Sequence, residues 1–333
     1  MSRKYERNET QGIQISNVCI ALRNELDDMK CIFTSDMAGV TPTRKWTCSE
    51  KEIKEAEFIK YAQTFTEINE EGRVEVALPW KPGYPERLPN NCSEAERDLH
   101  FQKKRLEKSG EFEMYSKEMN KLISSDFVEP VDIELGESAY YITHHHVIRA
   151  ESESTPVRIV WNSARKNSHG FCINDVLYKG PDLLNQIFKC LIGFRENPVA
   201  FIGDIRKMFN MVSLSKKDRR FHRFLWWDEN GQVIAYQWKR LIFGDSPSPD
   251  LAITALRFIA TMSEKDYPRG AKLIMKNAYM DDISGSTLNE EEGKTCISEI
   301  TNLLKKGKFE IKCWHSNSAQ LEKEINENVT HTI

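Results

Sequence analysis

Three aspartates placed against apolar strands constrain this chain more than any other feature. Asp204 closes the run Val199-Ala200-Phe201-Ile202-Gly203, and Asp281-Asp282 stand between two further apolar stretches. An ionised carboxylate at the end of a buried strand is costly unless something compensates it. Two adjacent aspartates repel, and each raises the other's proton affinity. A dication removes both problems. Hard carboxylate oxygens suit Mg²⁺, with Mn²⁺ as a substitute, and Mg²⁺ takes one or two carboxylates plus substrate phosphates. Two such ions, ~3.5–4 Å apart, can hold the attacking and leaving oxygens of an in-line phosphoryl displacement.

The elements around these residues follow from periodicity. Val199–Gly203 reads as a buried strand, and Phe221–Leu241 as a hairpin turning at Asn230-Gly231, a pair suited to positive φ. Then come a helix over Pro247–Thr261, a strand over Leu273–Met280, a strand over Ile283–Thr287, a helix over Glu291–Lys305 and a strand over Phe309–Trp314. That order predicts an α+β fold with the split βαβ topology of ferredoxin-like sheets and one inserted hairpin. Such a sheet sets its first strand beside the central hairpin, which brings Asp204 to Asp281-Asp282.

Upstream, Val74–Trp80 predicts a short strand stopped by Pro79, followed by a proline-rich connector. A helix is expected to start at Ser93, with Glu96 completing a capping box. A second helix spans Glu113–Ser124, with Tyr115, Met119 and Leu122 on one face. Val157–Trp161 predicts a strand. Leu183, Leu184, Ile187, Phe188, Leu191 and Ile192 predict an amphipathic helix ending near Pro198. Residues 1–45 show no sustained period.

Several function classes lose support. No apolar run approaches the ~20 residues that span a bilayer, and the N-terminus lacks a signal peptide's apolar stretch. A cytoplasmic protein, or a nuclear one, is the expectation. The eight cysteines form no CxxC pair, so reduced thiols are expected. His144, His145 and His146 are consecutive, point to alternate faces of a strand and cannot share one metal. No GxSxG-type spacing supports a hydrolase nucleophile. Net charge is −3, but Ile205–Arg240 carries nine Lys or Arg against three acids, a candidate surface for nucleic-acid phosphates.

Tyr279-Met280-Asp281-Asp282 resembles the YxDD signature of reverse transcriptases, and Asp204 resembles their first catalytic aspartate. Further stretches resemble the BEL/Pao class of LTR retrotransposon polyproteins. They are 141–147 (YITHHHV), 157–162 (VRIVWN), 173–177 (INDVL), 180–183 (GPDL), 204–209 (DIRKMF) and 309–317 (FEIKCWHSN). The resemblance covers roughly residues 45–320. It implies a right-hand polymerase with fingers at about 93–198 and 210–242 and a palm at about 199–209 and 243–320. Residues 1–75 are then a linker or tail, and 76–333 the reverse transcriptase domain. A thumb, a ribonuclease H and an integrase are expected to be missing.

The resemblance also implies roles. Asp204, Asp281 and Asp282 would be catalytic and hold two Mg²⁺. Arg158 would lie on the incoming triphosphate, with Arg149 a second phosphate contact. Phe209 would block a ribose 2′-hydroxyl, and Ile205 and Gly244 would line the nucleotide site. Tyr279, Met280, Ser248, Pro249, Lys312 and Trp314 would contact primer or template. The partners implied are an RNA or DNA template with its primer, dNTPs and the rest of a retrotransposon polyprotein, with no membrane and with virus-like particles as one location. The sequence departs from the pattern at Asn162, Phe243, Asp245 and Pro247, and Asp245 is expected to repel phosphate near the template base pair. The rival expectation is a catalytically silent retrotransposon-derived fragment that binds RNA or protein.

Overall fold

The computed structural model describes residues 50–133, 136–148 and 157–330. Arg149, residues 1–45 and the thiols Cys19, Cys31 and Cys48 lie outside them. The chain divides into two compact units, residues 1–60 and 61–333. Helix α1 (Glu50–Thr64) crosses that division; all that follows concerns the second unit.

Among the described residues, twelve strands make four small sheets. β1 (Glu67–Ile68) and β2 (Val74–Val76) form a hairpin, and β2 runs parallel to β7 (Ser213–Leu214). β3 (Val128–Val131) borders β9 (Val233–Trp238), which pairs with β8 (Arg223–Trp227). β4 (His144–Ile148) pairs with β5 (Val157–Trp161). The fourth sheet has the order β10 (Ala278–Tyr279), β11 (Asp282–Thr287), β6 (Val199–Ile205), β12 (Ile311–Ser316), all antiparallel. It carries the three aspartates and is called the carboxylate sheet below.

Two predicted helices stand nearly as expected. α2 (Cys92–Ser109) buries Ala95, Leu99 and Leu106, and α3 (Phe112–Ile123) buries Tyr115 and Met119. The start of α2 differs. Its N-cap is Asn91, which makes no capping bond; its side-chain amide instead exchanges two hydrogen bonds with the backbone of Tyr141. A long-range backbone partner has displaced the expected capping box. α4 (Ile173–Val176) and α6 (Met208–Met211) are single turns.

Helix α5 (Ile187–Arg195) is present, but its apolar stripe faces out: Ile187, Phe188, Leu191 and Ile192 are all exposed, and only Cys190 is buried. The inward face is the one with small groups. A Cβ on Gly193 would stand 2.8 Å from the Asn277 amide, and the Gly193 carbonyl accepts a bond from Ser286. Close backbone approach, not apolar area, orients this helix.

The largest correction falls on Leu273–Met280. The segment is not a strand. α8 (Pro268–Asn277) occupies most of it, and β10 keeps only two residues. Pro268 starts the helix, where its missing N–H costs nothing. Gly270, Ala271 and Ile274 are buried at helical spacing. A Cβ on Gly270 would lie 2.9 Å from the backbone of Ile300, so α8 and the helix Glu290–Lys306 touch there almost without side chains.

α7 (Ser248–Ser263) packs on α8 and buries Leu251, Ala252, Ala255, Leu256, Ile259 and Ala260. α9 (Glu290–Lys306) packs on both and buries Cys296, Ile297, Ile300, Leu303 and Leu304. Asn289 caps α9 by accepting the Glu292 N–H, and three glutamates follow in its first turn, where they favour the helix dipole. α10 (Ala319–Thr330), which no sequence signal marked, closes over β12. No helix among the described residues is long and apolar enough to cross a membrane.

Candidate active site

The register of the carboxylate sheet sets Asp282 directly opposite Asp204 across the β6–β11 ladder. Opposed residues of an antiparallel pair project from the same face. Tyr279 pairs with Asp282, so Met280 and Asp281 form a two-residue hairpin loop. Such loops need positive φ, and Met280 has φ 53°. A side chain held in the left-handed region costs about 1–3 kcal/mol and persists where the surroundings enforce it. Here the Ile205 N–H donates to the Asp281 carbonyl at 2.7 Å, tying the loop to the end of β6. Lys207, three residues past Asp204, is also left-handed at φ 47°.

Electrostatics at this point are unfavourable in the chain alone. Burial, and then the charge of Asp281, raise the Asp204 carboxyl above its usual range; Lys312 partly offsets this. Burial, Asp281 and Asp204 raise Asp282 in the same sense. The carboxylates thus work against one another. The donor set fits Mg²⁺: hard oxygens, like charges in excess, and two carboxylates on one face. They do not form a closed cage. Among the described residues no group of three or more His, Cys, Asp or Glu side chains is gathered closely enough to hold a metal by itself. Mg²⁺ commonly keeps waters and substrate phosphates in its shell, so a pair of carboxylates suffices to seat it.

The remaining expected residues separate into those at the surface and those in the core. Arg158 is exposed on β5, opposite Val147. Lys312 is exposed and close enough to act on Asp204, and Tyr279, Met280 and Pro249 are half-buried. Phe209 is only 7 % exposed, its ring 4.2 Å centroid to centroid from that of Phe243, which is 57 % exposed. Ile205 is 1 % exposed and its N–H is already bonded to Asp281, so neither its side chain nor its N–H is open to a nucleotide. Ser248 is buried in the first turn of α7.

Trp314 needs correction. It is 1 % exposed, its ring lies over Gly203, where a Cβ would come within 2.6 Å, and it packs against Phe201. The indole fills the core behind Gly203, so it has no surface to offer a primer. Asp245 is corrected too. Its side chain is fully buried, accepting bonds from Ser163 Oγ and from His222 Nε2, both at 2.6 Å. It faces inward and presents no charge to phosphate. Asn174 fixes the same loop from the other side, donating to the Gly244 carbonyl and accepting the Ser246 N–H. Gly244 has φ 113°, and any Cβ there would meet the Trp161 carbonyl at 2.5 Å. Its missing side chain lets the backbone come close to the end of β5, and the residue itself is exposed. Nothing local in the sequence signals this network, whose members lie up to 82 positions apart.

The basic stretch 205–240 is also less available than its composition implies. Arg219 approaches Glu129, Arg223 makes a two-pronged pair with Glu137, and Arg240 bonds Asp126 and Ser213; all three are buried. Arg206, Lys207, Lys216 and Lys217 remain exposed. His144 is buried, accepting the Tyr115 hydroxyl at 2.5 Å and donating to the Leu225 carbonyl. Burial pushes its pKa down to about 4, so it is neutral. A cavity of about 440 Å³ lies between α2, β4 and the loop after β5, and none of Asp204, Asp281 and Asp282 lines it. The carboxylates stand on an open sheet face.

Residues 167–314 match the family described as reverse transcriptase (RNA-dependent DNA polymerase). This segment, a reverse transcriptase domain, contains all three aspartates, Phe209, Gly244 and Trp314. No curated protein matches the chain.

Proposed function

We propose that this chain is an RNA-directed DNA polymerase that adds dNTPs to a primer 3′-hydroxyl by two-metal phosphoryl transfer. One observation carries the reading: within the segment matching reverse transcriptases, Asp282 of a Tyr-Met-Asp-Asp hairpin stands in register with Asp204. The strand order β10-β11-β6-β12 supports a palm of split βαβ type, with the first strand flanked by the third and fourth.

Asp204 and Asp282, with Asp281 at the hairpin tip, would hold Mg²⁺ through carboxylate oxygens. The bound ions would ease loss of the primer 3′-hydroxyl proton and offset charge on the triphosphate. Arg158, a planar cation with several donors, would hold that triphosphate. Phe209 would set the edge of the sugar site. The exposed Arg206, Lys207, Lys216 and Lys217 are the candidates for template phosphates, which makes binding salt-dependent. The stretches at 141–147 and 309–317 support a BEL/Pao-type retrotransposon origin, in a cytoplasmic or nuclear setting.

The test is dTTP incorporation on poly(rA)/oligo(dT) with Mg²⁺, comparing wild type with Asp281→Asn. Synthesis by the wild type and its loss in the variant support the reading. The second reading, a silent fragment that binds RNA or protein, draws on the fact that the three carboxylates do not close into one cluster. Primer–template binding by both proteins without incorporation by either would favour it.

A further inference from the structure

β12 carries a second constellation that the polymerase reading does not use. Cys313 Sγ lies 3.3 Å from His315 Nε2, and His315 Nδ1 lies 3.0 Å from Glu322 Oε1. Glu322 belongs to α10, and its other oxygen accepts the Ser316 N–H. The chain of contacts is thiol, imidazole, carboxylate. With Nδ1–H donated to Glu322, His315 presents a bare Nε2 to the thiol, the tautomer a general base requires. The bond from His315 also holds the Glu322 carboxyl below its usual range. The register of β12 on β6 shifts between Ile311 and Trp314, so it is the 3.3 Å contact that puts the Cys313 and His315 side chains together. His315 pairs with Ile202, two residues from Asp204, so this is the face of the sheet that bears the carboxylates.

Cys313 is half-buried, and the His315 and Glu322 side chains are 64 % and 36 % exposed. Other described thiols sit differently: burial raises Cys92, Cys172, Cys190 and Cys296, and none of them has an imidazole partner. A nucleophile within reach of a base that a third group orients is the arrangement that activates a thiol.

We propose that Cys313 is an activated thiol and a modification site for small disulfides, with His315 as its base and Glu322 as the group that positions His315. In the step, the Cys313 S–H proton passes to His315 Nε2. The thiolate attacks one sulfur of the disulfide, forming a new S–S bond to Cys313. The old S–S bond breaks with its electron pair on the departing sulfur, which takes up the proton and leaves as a thiol. No further oxidant is needed. The adduct stands on the carboxylate face of the sheet.

The test treats the full chain with oxidised glutathione at pH 7 and follows the adduct at each cysteine by peptide mapping. Cys313 is expected to react before Cys92. His315→Asn should slow Cys313 by about tenfold or more, as loss of a general base does, and leave Cys92 unchanged. Glu322→Gln should have a smaller effect in the same direction. Cys172, Cys190 and Cys296 report folding, because they stay unmodified while the core is intact. Should His315→Asn expose them, Glu322→Gln decides by the same criterion. A Cys313 no faster than Cys92, or one indifferent to loss of the base or its positioning group, overturns the proposal.

Discussion

The carboxylate sheet and the hairpin sheet β3-β9-β8 both hold charged residues close to the core, and they treat them in opposite ways. In and around the hairpin sheet, charges are paired. Arg223 grips Glu137, Arg240 grips Asp126, and His222 and Ser163 satisfy Asp245. In the carboxylate sheet, Asp204 and Asp282 face each other with raised proton affinity, next to a left-handed Met280. A paired buried charge fixes shape. A like-charge pair that is only partly offset weakens the fold and marks a candidate binding site. The residue type is the same; the partners assign the role.

That contrast can be broken most easily at Asp245. Asp245→Ala leaves the His222 imidazole and the Ser163 hydroxyl buried without their acceptor, and should cost about 1–3 kcal/mol for each orphaned donor. Urea unfolding measures it. A loss under about 1 kcal/mol, the scale of an exposed pair, would mean the network does not hold the 244–249 loop. Gly203→Ala tests the apolar side of the carboxylate sheet. Its Cβ would overlap the Trp314 ring, and overpacking should cost about 1–3 kcal/mol. A neutral result would show that Trp314 can leave the core, which would reopen its expected contact with a primer.

A third, pH-dependent effect falls at Asp250, in the first turn of α7. Burial pushes its pKa up to about 6, while the Leu183 N–H it accepts pulls the other way. A carboxyl raised in the folded state binds its proton more tightly there than in the unfolded chain, where the pKa is about 3.9. Its ionisation therefore removes stability as pH rises from about 4 to about 6, and the full penalty remains above that. Asp250→Asn keeps the acceptor for Leu183 and should flatten the melting temperature across this window. A variant with the wild-type pH slope would place the titration elsewhere.

Much of the fold was legible because the signals were local. Asn230-Gly231 between aromatic and β-branched runs marked the β8–β9 hairpin. The apolar period of Cys296, Ile297, Ile300, Leu303 and Leu304 marked α9. The apolar strand before Asp204 marked the carboxylate. What misled was the short run Leu273-Ile274-Met275, which fits a strand or a helix equally well; Pro268 and the small residues Gly270 and Ala271 were the better guide. The orientation of α5 depended on Gly193 meeting Asn277, and the inward turn of Asp245 on partners 23 and 82 positions away. Trp314 was read from its motif, whereas its place is set by the missing side chain of Gly203. In the last three misses a long-range contact overrode the local pattern; in the first, the local pattern itself was ambiguous.

The central claim is that the repulsion between Asp204 and Asp282 is kept for a divalent cation. Thermal melts with and without Mg²⁺, on wild type and Asp282→Asn, test it most directly. Without Mg²⁺ the variant should melt higher, since one repelling charge is gone; relief of about 1 kcal/mol corresponds to roughly 2 °C for a domain of this size. Mg²⁺ should raise the wild-type melting temperature and raise the variant's less. A wild type that ignores Mg²⁺, or a variant that melts lower without it, would contradict the account.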